Sequence, residues 1–221
     1  MLRAERQMLL KPSHASRTAG DCSFAHDPDV PATQEPVLWR PELFPGTVIL
    51  SAAPAGFEGA TSAEPAQLGP ILADHDVRGR RVIVIGDATG GALDVWLPDA
   101  KTARPAAVIL PFEPGFELRF QTALRLFRRL MGQRVALLPA GLQLTPQQRT
   151  RLIQLLHAFD IHDGGGGARD VAAEVLQAGQ ASLPSTEWKD SAARRKALRL
   201  IKDSAELVKR GYLKILRGKF R

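Results

Sequence analysis

The spacing of apolar residues changes near residue 115, and the two halves of the chain predict different kinds of structure. Before that point, β-branched and apolar runs of four or five residues alternate with turns, which is the pattern of β-strands. After it, apolar residues recur every three or four positions, which is the pattern of amphipathic helices. The predicted fold class is therefore α+β, with a small antiparallel sheet followed by a helical C-terminal region.

Four strands are predicted before residue 115. Residues 81–85 and 93–97 are apolar runs that flank a Gly-Asp-Ala-Thr-Gly-Gly sequence, and this arrangement predicts a hairpin with a glycine-containing turn. Residues 47–50 and 107–110 are the other two candidates. The glycine cluster is not a nucleotide-binding loop, because no Gly-Lys-Ser or Gly-Lys-Thr follows it and no βαβ unit surrounds it.

Four helices are predicted after residue 115. The first spans residues 116–131, and five apolar residues are expected to form its buried stripe. These are Phe116, Phe120, Leu124, Phe127 and Met131. Thr145 and Pro146 begin the second helix, as an N-cap and a proline in the first turn. A short helix at 168–178 and a long helix at about 186–210 follow.

These patterns divide the chain into three parts. Residues 1–36 have no sustained periodicity and several prolines, and are expected to form an extended or disordered arm. Residues 37–135 are expected to form a β-rich domain that ends in the amphipathic helix, and residues 136–221 a helical domain. Within the helical domain, the four glycines at 164–167 are interpreted as a hinge between two helices.

Composition narrows the class of protein. The chain has 221 residues, of which 44% are apolar, and this is enough to form a substantial core. Its one cysteine, Cys22, cannot form a disulfide within the chain, which is typical of a reducing compartment. No apolar run approaches the ~20 residues that a membrane-spanning helix needs. We therefore expect a soluble cytoplasmic protein.

The charges are segregated along the chain. Residues 185–221 carry twelve basic and four acidic side chains, and residues 116–151 carry seven arginines and one glutamate. The first 115 residues have ten basic and fourteen acidic groups, while the whole chain has a net charge of +7. A concentration of positive charge attracts a polyanion such as nucleic acid. A merely solvated charged face is the alternative that charge alone leaves open.

The long helix at about 186–210 carries the candidate functional residues. Arg195, Arg199 and Lys202 fall on one face of it, while Lys189, Ser191 and Arg194 lie near its N-terminal end. Its apolar residues between 198 and 215 recur at intervals of three and four, so this stripe is expected to pack on the preceding helices. In a helix-turn-helix domain, the second helix contacts base edges in the major groove with its N-terminal residues, and flanking cations contact phosphates. The sequence predicts such a domain.

The same region resembles a known family. It carries the motifs Trp188-Lys189-Asp190-Ser191, Arg194-Arg195, Arg199-Leu200-Ile201 and Gly211-Tyr212. These motifs are similar to the C-terminal signature of the RovC-type DNA-binding family of proteobacterial regulators, and the resemblance extends over residues 27–217. It implies a transcription factor, usually an activator, whose C-terminal helices contact double-stranded DNA. By this resemblance the DNA-contacting residues are Lys189, Ser191, Arg194, Arg195 and Arg199, to which charge and position add Lys202.

The sequence departs from the family pattern in two places. Similar proteins usually open the short helix with a Tyr/Ser-Arg-Glu-Ile-Ala type of stretch, whereas this chain has Gly-Gly-Ala-Arg-Asp-Val-Ala at 166–172, so a shorter supporting helix is expected. The first 26 residues do not resemble the complete domain often found upstream. The protein is therefore expected to act with a separately encoded partner or with RNA polymerase.

A homo-oligomer is also expected. A single recognition helix reads few base pairs, and joining two modules raises both specificity and avidity. The sheet at 37–115 is net acidic and carries no evident chemistry, so we expect it to contribute to assembly.

Other classes of function have less support in the sequence. No catalytic motif is apparent, and His14, Cys22 and His26 lack the paired spacing of a metal site, so neither an enzyme nor a cofactor is expected. Two non-enzymatic alternatives stay open: a binder of RNA or single strands, and a protein-interaction module such as an antiactivator. A single-strand binder would need exposed aromatic residues, and Trp188 is interpreted as a core anchor. Salt-dependent binding to duplex DNA separates these alternatives.

Overall fold

The computed structural model describes residues 36–77, 79–86, 91–98 and 106–219. Apart from Pro36, the predicted N-terminal arm lies outside the described residues. The chain divides into two compact units, with the boundary between Pro139 and Ala140. Among the described residues, the first unit contains a β-sheet and one long helix, and the second is helical, so the predicted α+β class is confirmed.

The first unit contains a five-stranded mixed sheet in the order β2-β3-β4-β1-β5. Its strands are β1 (Thr47–Ala52), β2 (Ile71–Val77), β3 (Arg80–Gly86), β4 (Ala92–Leu97) and β5 (Ala106–Ile109). The predicted hairpin is present as β3 and β4, which pair antiparallel with Ile83 opposite Val95. The expectation of a wholly antiparallel sheet was wrong, because β1 and β4 are parallel with Thr47 opposite Asp94. Local patterns predict hairpins between neighbours, not the direction of strands joined by a long connection.

Strand β2 was not predicted from the sequence. It reads Ile-Leu-Ala-Asp-His-Asp-Val, and its three polar residues obscure the apolar pattern of a strand. The strand pairs antiparallel with β3. Arg81 of β3 also donates two hydrogen bonds to the carboxylate of Asp74, with N–O distances of 2.8 and 2.6 Å. Cross-strand pairing rather than the strand's own hydrophobicity therefore stabilises β2.

Apolar residues cover both faces of the sheet. On one face, Leu50, Ile83 and Val95 pack with Leu126 of helix α2 (Phe116–Leu130). On the other face, Leu38, Ala73, Val82, Val84 and Trp96 form a second cluster. Strand β3 contributes to both clusters, which explains its unbroken apolar run of Val82 to Ile85.

Helix α2 packs with a different face from the one that its sequence predicts. Its buried residues include Arg119, Arg125 and Leu126, whereas Phe120 and Phe127 are about half exposed. The expectation that the phenylalanine stripe forms core was therefore wrong. The reason is that oxygen atoms in the sheet unit accept hydrogen bonds from the arginines, and the arginine stems fill the space beneath them.

Three arginines of α2 hold the sheet unit together. Arg119 donates to the Glu113 carboxylate and to the main-chain oxygens of Pro41 and Thr47. Arg125 donates to the main-chain oxygen of Ala136 at 3.0 Å. Arg129 Nη2 donates to Gly86 O at 2.5 Å. These are structural uses of residues that the charge pattern alone assigns to a cationic surface.

A glycine makes the last of these contacts possible. Gly69 follows the short helix α1 (Pro65–Leu68) and has a φ of +140°, which disfavours a side chain. A Cβ atom there would also lie 2.8 Å from Gly86 O, the oxygen that accepts from Arg129. Only glycine leaves room for the strand end and the guanidinium together.

The second unit contains five α-helices. They are α3 (Pro146–Asp163), α4 (Ala168–Glu174), α5 (Ser185–Asp190), α6 (Ala192–Glu206) and α7 (Tyr212–Leu216). The predicted N-cap of α3 is confirmed as a capping box, because Thr145 Oγ1 accepts from Gln148 N at 3.2 Å and Gln148 Oε1 accepts from Thr145 N at 2.9 Å. A π-helical turn (Leu207–Gly211) joins α6 to α7.

The predicted helix at about 186–210 was wrong in its bounds. It is divided at Ser191, whose backbone is extended (φ −67°, ψ 146°) and ends α5 before α6 begins. The expected apolar stripe was also out of phase: Leu198 and Val208 are exposed, while Ala193, Ala197, Leu200 and Ser204 form the buried face of α6. Ala193, Ala197 and Ser204 were not counted in the predicted stripe, yet these small residues allow the closest packing.

The four-glycine segment forms a hydrogen-bonded turn rather than a free hinge. The N–H of Gly166 donates to Ile161 O at 2.8 Å, and the N–H of Gly165 donates to His162 O at 3.0 Å. Gly167 is the N-cap of α4, and its N–H donates to Asp170 Oδ2 at 2.7 Å. These bonds close the C-terminal end of α3 and start the next helix.

Candidate nucleic-acid interface

Helix α6 is held against the rest of the second unit by small side chains. Ala193, Ala197 and Leu200 are buried in one cluster with Val171 and Ala172 of α4. Alanines at the contact let two helices approach closely, so α6 lies with its opposite face toward solvent. Residues 175–191, which include a 3₁₀ turn and α5, connect α4 to α6. This connection is far longer than the three or four residues of a helix-turn-helix turn.

The N-terminus of α6 is capped by the protein itself. Ser191 Oγ accepts from the N–H of Arg194 at 3.1 Å, and Gln180 Oε1 accepts from the N–H of Ala193 at 3.1 Å. These groups would otherwise be available to an anion. These two N–H groups are therefore not available to a phosphate at this end of α6. Gln180 was not identified from the sequence, because it lies in a 3₁₀ turn at Gly179–Ser182 and its partner, Ala193, is thirteen residues further along the chain.

The exposed face of α6 presents a row of cations. Arg195, Arg199 and Lys202 are all exposed and follow one another at intervals of four and three residues. They lie opposite the buried face formed by Ala193, Ala197, Leu200 and Ser204. The structure thus brings together three of the six residues singled out in the sequence.

The other three residues lie at the junction of α5 and α6. Lys189 is exposed on α5, and Arg194 is half-buried with Nη1 donating to Lys189 O at 3.3 Å. Ser191 is buried, and its hydroxyl serves as the helix cap. Arg195 Nη1 also reaches across the junction and donates to Asp190 O at 2.8 Å. The arginines thus satisfy carbonyl groups at the end of α5 while keeping further N–H donors.

Trp188 packs this junction against the helical core. It is 8% exposed and belongs to the helical core, as its interpretation as a core anchor predicts. The Arg169 guanidinium lies over its ring, 5.2 Å from the centroid. Trp188 is therefore placed to fix α5 against α4, and its ring is not presented to a base.

A second group of cations lies near the π-helical turn. A cleft of about 850 Å³ is lined by Leu152 and Leu155 of α3 and, on the other side, by Lys209, Arg210 and Lys214. Arg151 on its rim donates to Asp203 Oδ2 of α6 at 2.7 Å. These cations extend the positive surface beyond the row on α6.

The described parts of the chain show no other chemistry of this kind. In them no three His, Cys, Asp or Glu side chains are grouped so that they could hold a metal ion, while His14, Cys22 and His26 lie outside the described residues. Nor does any described helix combine the length and the apolar character needed to cross a membrane.

The second unit is thus a helical domain that presents a row of cations on one helix, as nucleic-acid-binding domains do. Residues 109–217 match the sequence profile of the RovC DNA-binding domain family, described as "T6SS, Transcription factor, DNA binding domain". This part of the chain belongs to that family, and the protein is a DNA-binding transcriptional regulator. The resemblance found in the sequence is confirmed over residues 109–217, but not over the part before residue 109 to which it was expected to extend.

The strands of the sheet belong mostly to a different sequence family. Residues 46–108 match a separate domain of unknown function, DUF7012. No curated protein and no solved structure matches the chain. The DNA-binding family therefore begins just before α2 and includes it.

Proposed function

We propose that the protein is a sequence-specific activator of bacterial transcription, acting in the cytoplasm, and that it contacts the major groove of double-stranded DNA through α6. The observation that carries this proposal is the exposed row of Arg195, Arg199 and Lys202 on a helix whose opposite face is packed by alanines. A helix held in this way can enter a groove about 12 Å wide without losing its support.

Each candidate residue has a distinct role in this proposal. Arg194 and Arg195 lie in the first turn of α6, from which an arginine can reach guanine edges. Arg199 and Lys202 lie further along, where they contact phosphates, and Lys189 contacts phosphate from the end of α5. Ser191 acts indirectly, because its buried hydroxyl fixes the start of α6.

The aromatic residues favour duplex DNA over single strands. Sequence-tolerant binding of single strands depends on bases that stack on exposed aromatic rings. In the described part of the basic segment, Trp188 is buried and covered by Arg169, and Tyr212 is half-buried. This surface offers charge without a stacking platform, which suits a phosphate backbone and groove edges.

The proposal is tested by measuring binding of the full-length protein to duplex and single-stranded DNA over a range of salt concentrations. We expect binding to the duplex to weaken steeply with salt, with a log–log slope of about −0.9 for each phosphate contacted. Equal or tighter binding to single strands would favour the RNA or single-strand alternative. Absence of binding at low salt would favour the protein-interaction alternative.

Variants then separate base contacts from phosphate contacts. The affinity of each variant is measured for a selected operator and for random duplex DNA. Arg195→Ala is expected to lose ~1–3 kcal/mol of discrimination between the two. Lys202→Ala should weaken both to the same extent. Arg40→Ala, which changes an exposed arginine of the sheet unit, is the matched control and should leave binding unchanged. Equal losses for Arg195→Ala on both duplexes would refute the assignment of base contacts.

Specific regulation adds a requirement for more than one copy. A single α6 reads few base pairs, and a genome offers ~10⁶ or more competing sites. We propose that the protein acts as a homo-oligomer on DNA, with RNA polymerase or a separately encoded subunit as a further partner. The contribution of the sheet to assembly stays a prediction.

A further inference from the structure

The outward face of α2 and the residues that flank it carry an unusually apolar surface. Phe112 is 97% exposed, Phe120 51%, Phe127 52% and Met131 40%. Phe112 also stacks on Phe116, with ring centroids 5.5 Å apart. At roughly 200 Å² for an aromatic side chain, this surface exposes on the order of 500 Å² of apolar area, which is near the upper end of the largest patch on a monomer.

The spacing of this surface fits another helix of the same kind. Phe112, Phe116, Phe120 and Leu124 follow one another every four residues, and Phe127 and Met131 continue the line. Such a row forms a ridge that packs into the groove between the ridges of a facing helix. The surface is therefore shaped for a helix and is long enough to contact all the turns of a 15-residue helix such as α2.

The charges beside this apolar row select the direction of that second helix. Glu117 and Arg128 lie on the same flank of the row, because eleven residues are close to three turns. When two copies of α2 pack antiparallel, equal flanks face each other, so Glu117 of one copy lies opposite Arg128 of the other. The same axis places Phe116 opposite Phe127, and Phe120 opposite Leu124. In a parallel arrangement, Glu117 of one copy would instead lie level with Glu117 of the other copy.

We propose that two copies of the chain associate through antiparallel packing of α2, about a twofold axis level with residue 122. The pairing goes beyond the proposed function, because it requires neither DNA nor any residue of α6. A standard interface buries about 800 Å² per partner, of which roughly 60% is apolar. The apolar area exposed on α2 is of the size that such an interface needs. Self-complementary charge and shape are properties of a twofold contact.

The experiment measures the mass of the full-length protein without DNA, by light scattering and analytical ultracentrifugation over a range of concentrations. Wild type is expected to dimerise or to assemble further through this pairing. Phe120→Ser and Phe127→Ser should each raise the dissociation constant at least roughly 30-fold, as loss of a central aromatic residue does. Phe57→Ser is the matched control: this phenylalanine is 64% exposed in a loop of the same unit, and its loss should change nothing. Circular dichroism confirms that each variant is folded.

Charge reversal tests the direction of pairing. Glu117→Arg alone places two arginines opposite each other, and Arg128→Glu alone places two glutamates opposite each other, so each should weaken association. The variant with both changes restores the ion pair with its charges exchanged, and association should recover. A wild type that is monomeric at all concentrations would overturn the proposal and indicate that the chain itself or another protein covers the surface. Association that survives both phenylalanine changes, or is not recovered in the double variant, would overturn it as well.

Discussion

Helices α2 and α6 have the same length and opposite exteriors. Each has 15 residues. Helix α2 carries four arginines, and α6 carries three arginines and two lysines. Helix α2 buries Arg119 and Arg125 and exposes Phe120 and Phe127. Helix α6 buries alanines and exposes its cations. Residue type alone therefore does not determine which face of a helix is turned toward the protein.

The difference follows from what lies opposite each helix. Beneath α2 are main-chain oxygens, at Pro41, Thr47 and Gly86, that need donors, and arginine supplies several donors on a long apolar stem. Beneath α6 lies an apolar surface that needs close contact and no donors. Consequently the net charge of residues 116–151 overstates the positive surface of that segment, whereas the charge on α6 is available to a ligand.

The strongest test of this comparison is Arg119→Ala. We expect a loss of about 3–5 kcal/mol in the free energy of unfolding, because the change leaves the Glu113 carboxylate and two buried carbonyl groups without their donor. Chemical denaturation of the full-length protein measures it. A loss below about 1 kcal/mol would mean that the buried guanidinium of Arg119, only 3% exposed, is not structural.

Two carboxylates of the sheet also differ in their surroundings, and this difference predicts how the stability of the protein varies with pH. The hydrogen bonds from Arg81 lower the pKa of Asp74, whereas burial raises the pKa of Asp94 from 3.8 to about 7. Between pH 4 and 7 the unfolded chain loses the Asp94 proton and the folded chain keeps it, so stability should fall as pH rises through that range. Asp94→Asn should remove the contribution of this residue to the slope, and should stabilise the protein more above pH 7 than at pH 4. Urea denaturation at pH 4.5 and pH 8 measures both, and equal effects at the two pH values would contradict the prediction.

Ser191→Ala separates a structural role from a contact with DNA. We expect a loss of about 1 kcal/mol in stability, because the N–H of Arg194 loses its cap. Discrimination between operator and random duplex should persist. Thermal denaturation and binding on the same preparation measure the two effects, with the exposed Ser185→Ala as control. Lost discrimination with unchanged stability would restore Ser191 as a contact residue.

The smallest expected effect completes the contrast with Arg119. Arg199→Ala should change the free energy of unfolding by no more than about 0.5 kcal/mol, because the side chain is exposed. It should nevertheless weaken DNA binding measurably in the same buffer. A large loss of stability would place Arg199 among the structural arginines and weaken the proposed interface.

The sequence predicted those features that depend on neighbouring residues. The β3–β4 hairpin, the Thr145 N-cap and the core position of Trp188 each follow from local spacing or residue chemistry. Features that depend on distant partners were missed. Strand β2 is held by its antiparallel pairing with β3, to which the Asp74–Arg81 pair adds, and α2 presents its phenylalanines because distant carbonyl groups bind its arginines.

The candidate site shows the same limit. The row of Arg195, Arg199 and Lys202 was visible from helical spacing, since any helix through these residues places them together. The break at Ser191 was not visible, because serine is tolerated within helices and caps one only where Trp188 and its neighbours stop the preceding turn. Gln180 could not be found either, as its partner lies thirteen residues away across a loop.

The π-helical turn at Leu207–Gly211 determines how the end of the chain would respond to a change in length. A turn of this kind holds more residues than an α-helical turn, so every side chain after it is rotated relative to a continuous α-helix. Deleting one residue, such as Val208, would convert the turn to ordinary α-helix and leave α6 in place. Most single deletions in a helix disrupt its packing, but here the chain already holds a spare residue. The helix pair α6–α7 is therefore expected to tolerate the loss of one residue at this turn, with the cations before it and Lys214 after it keeping their directions.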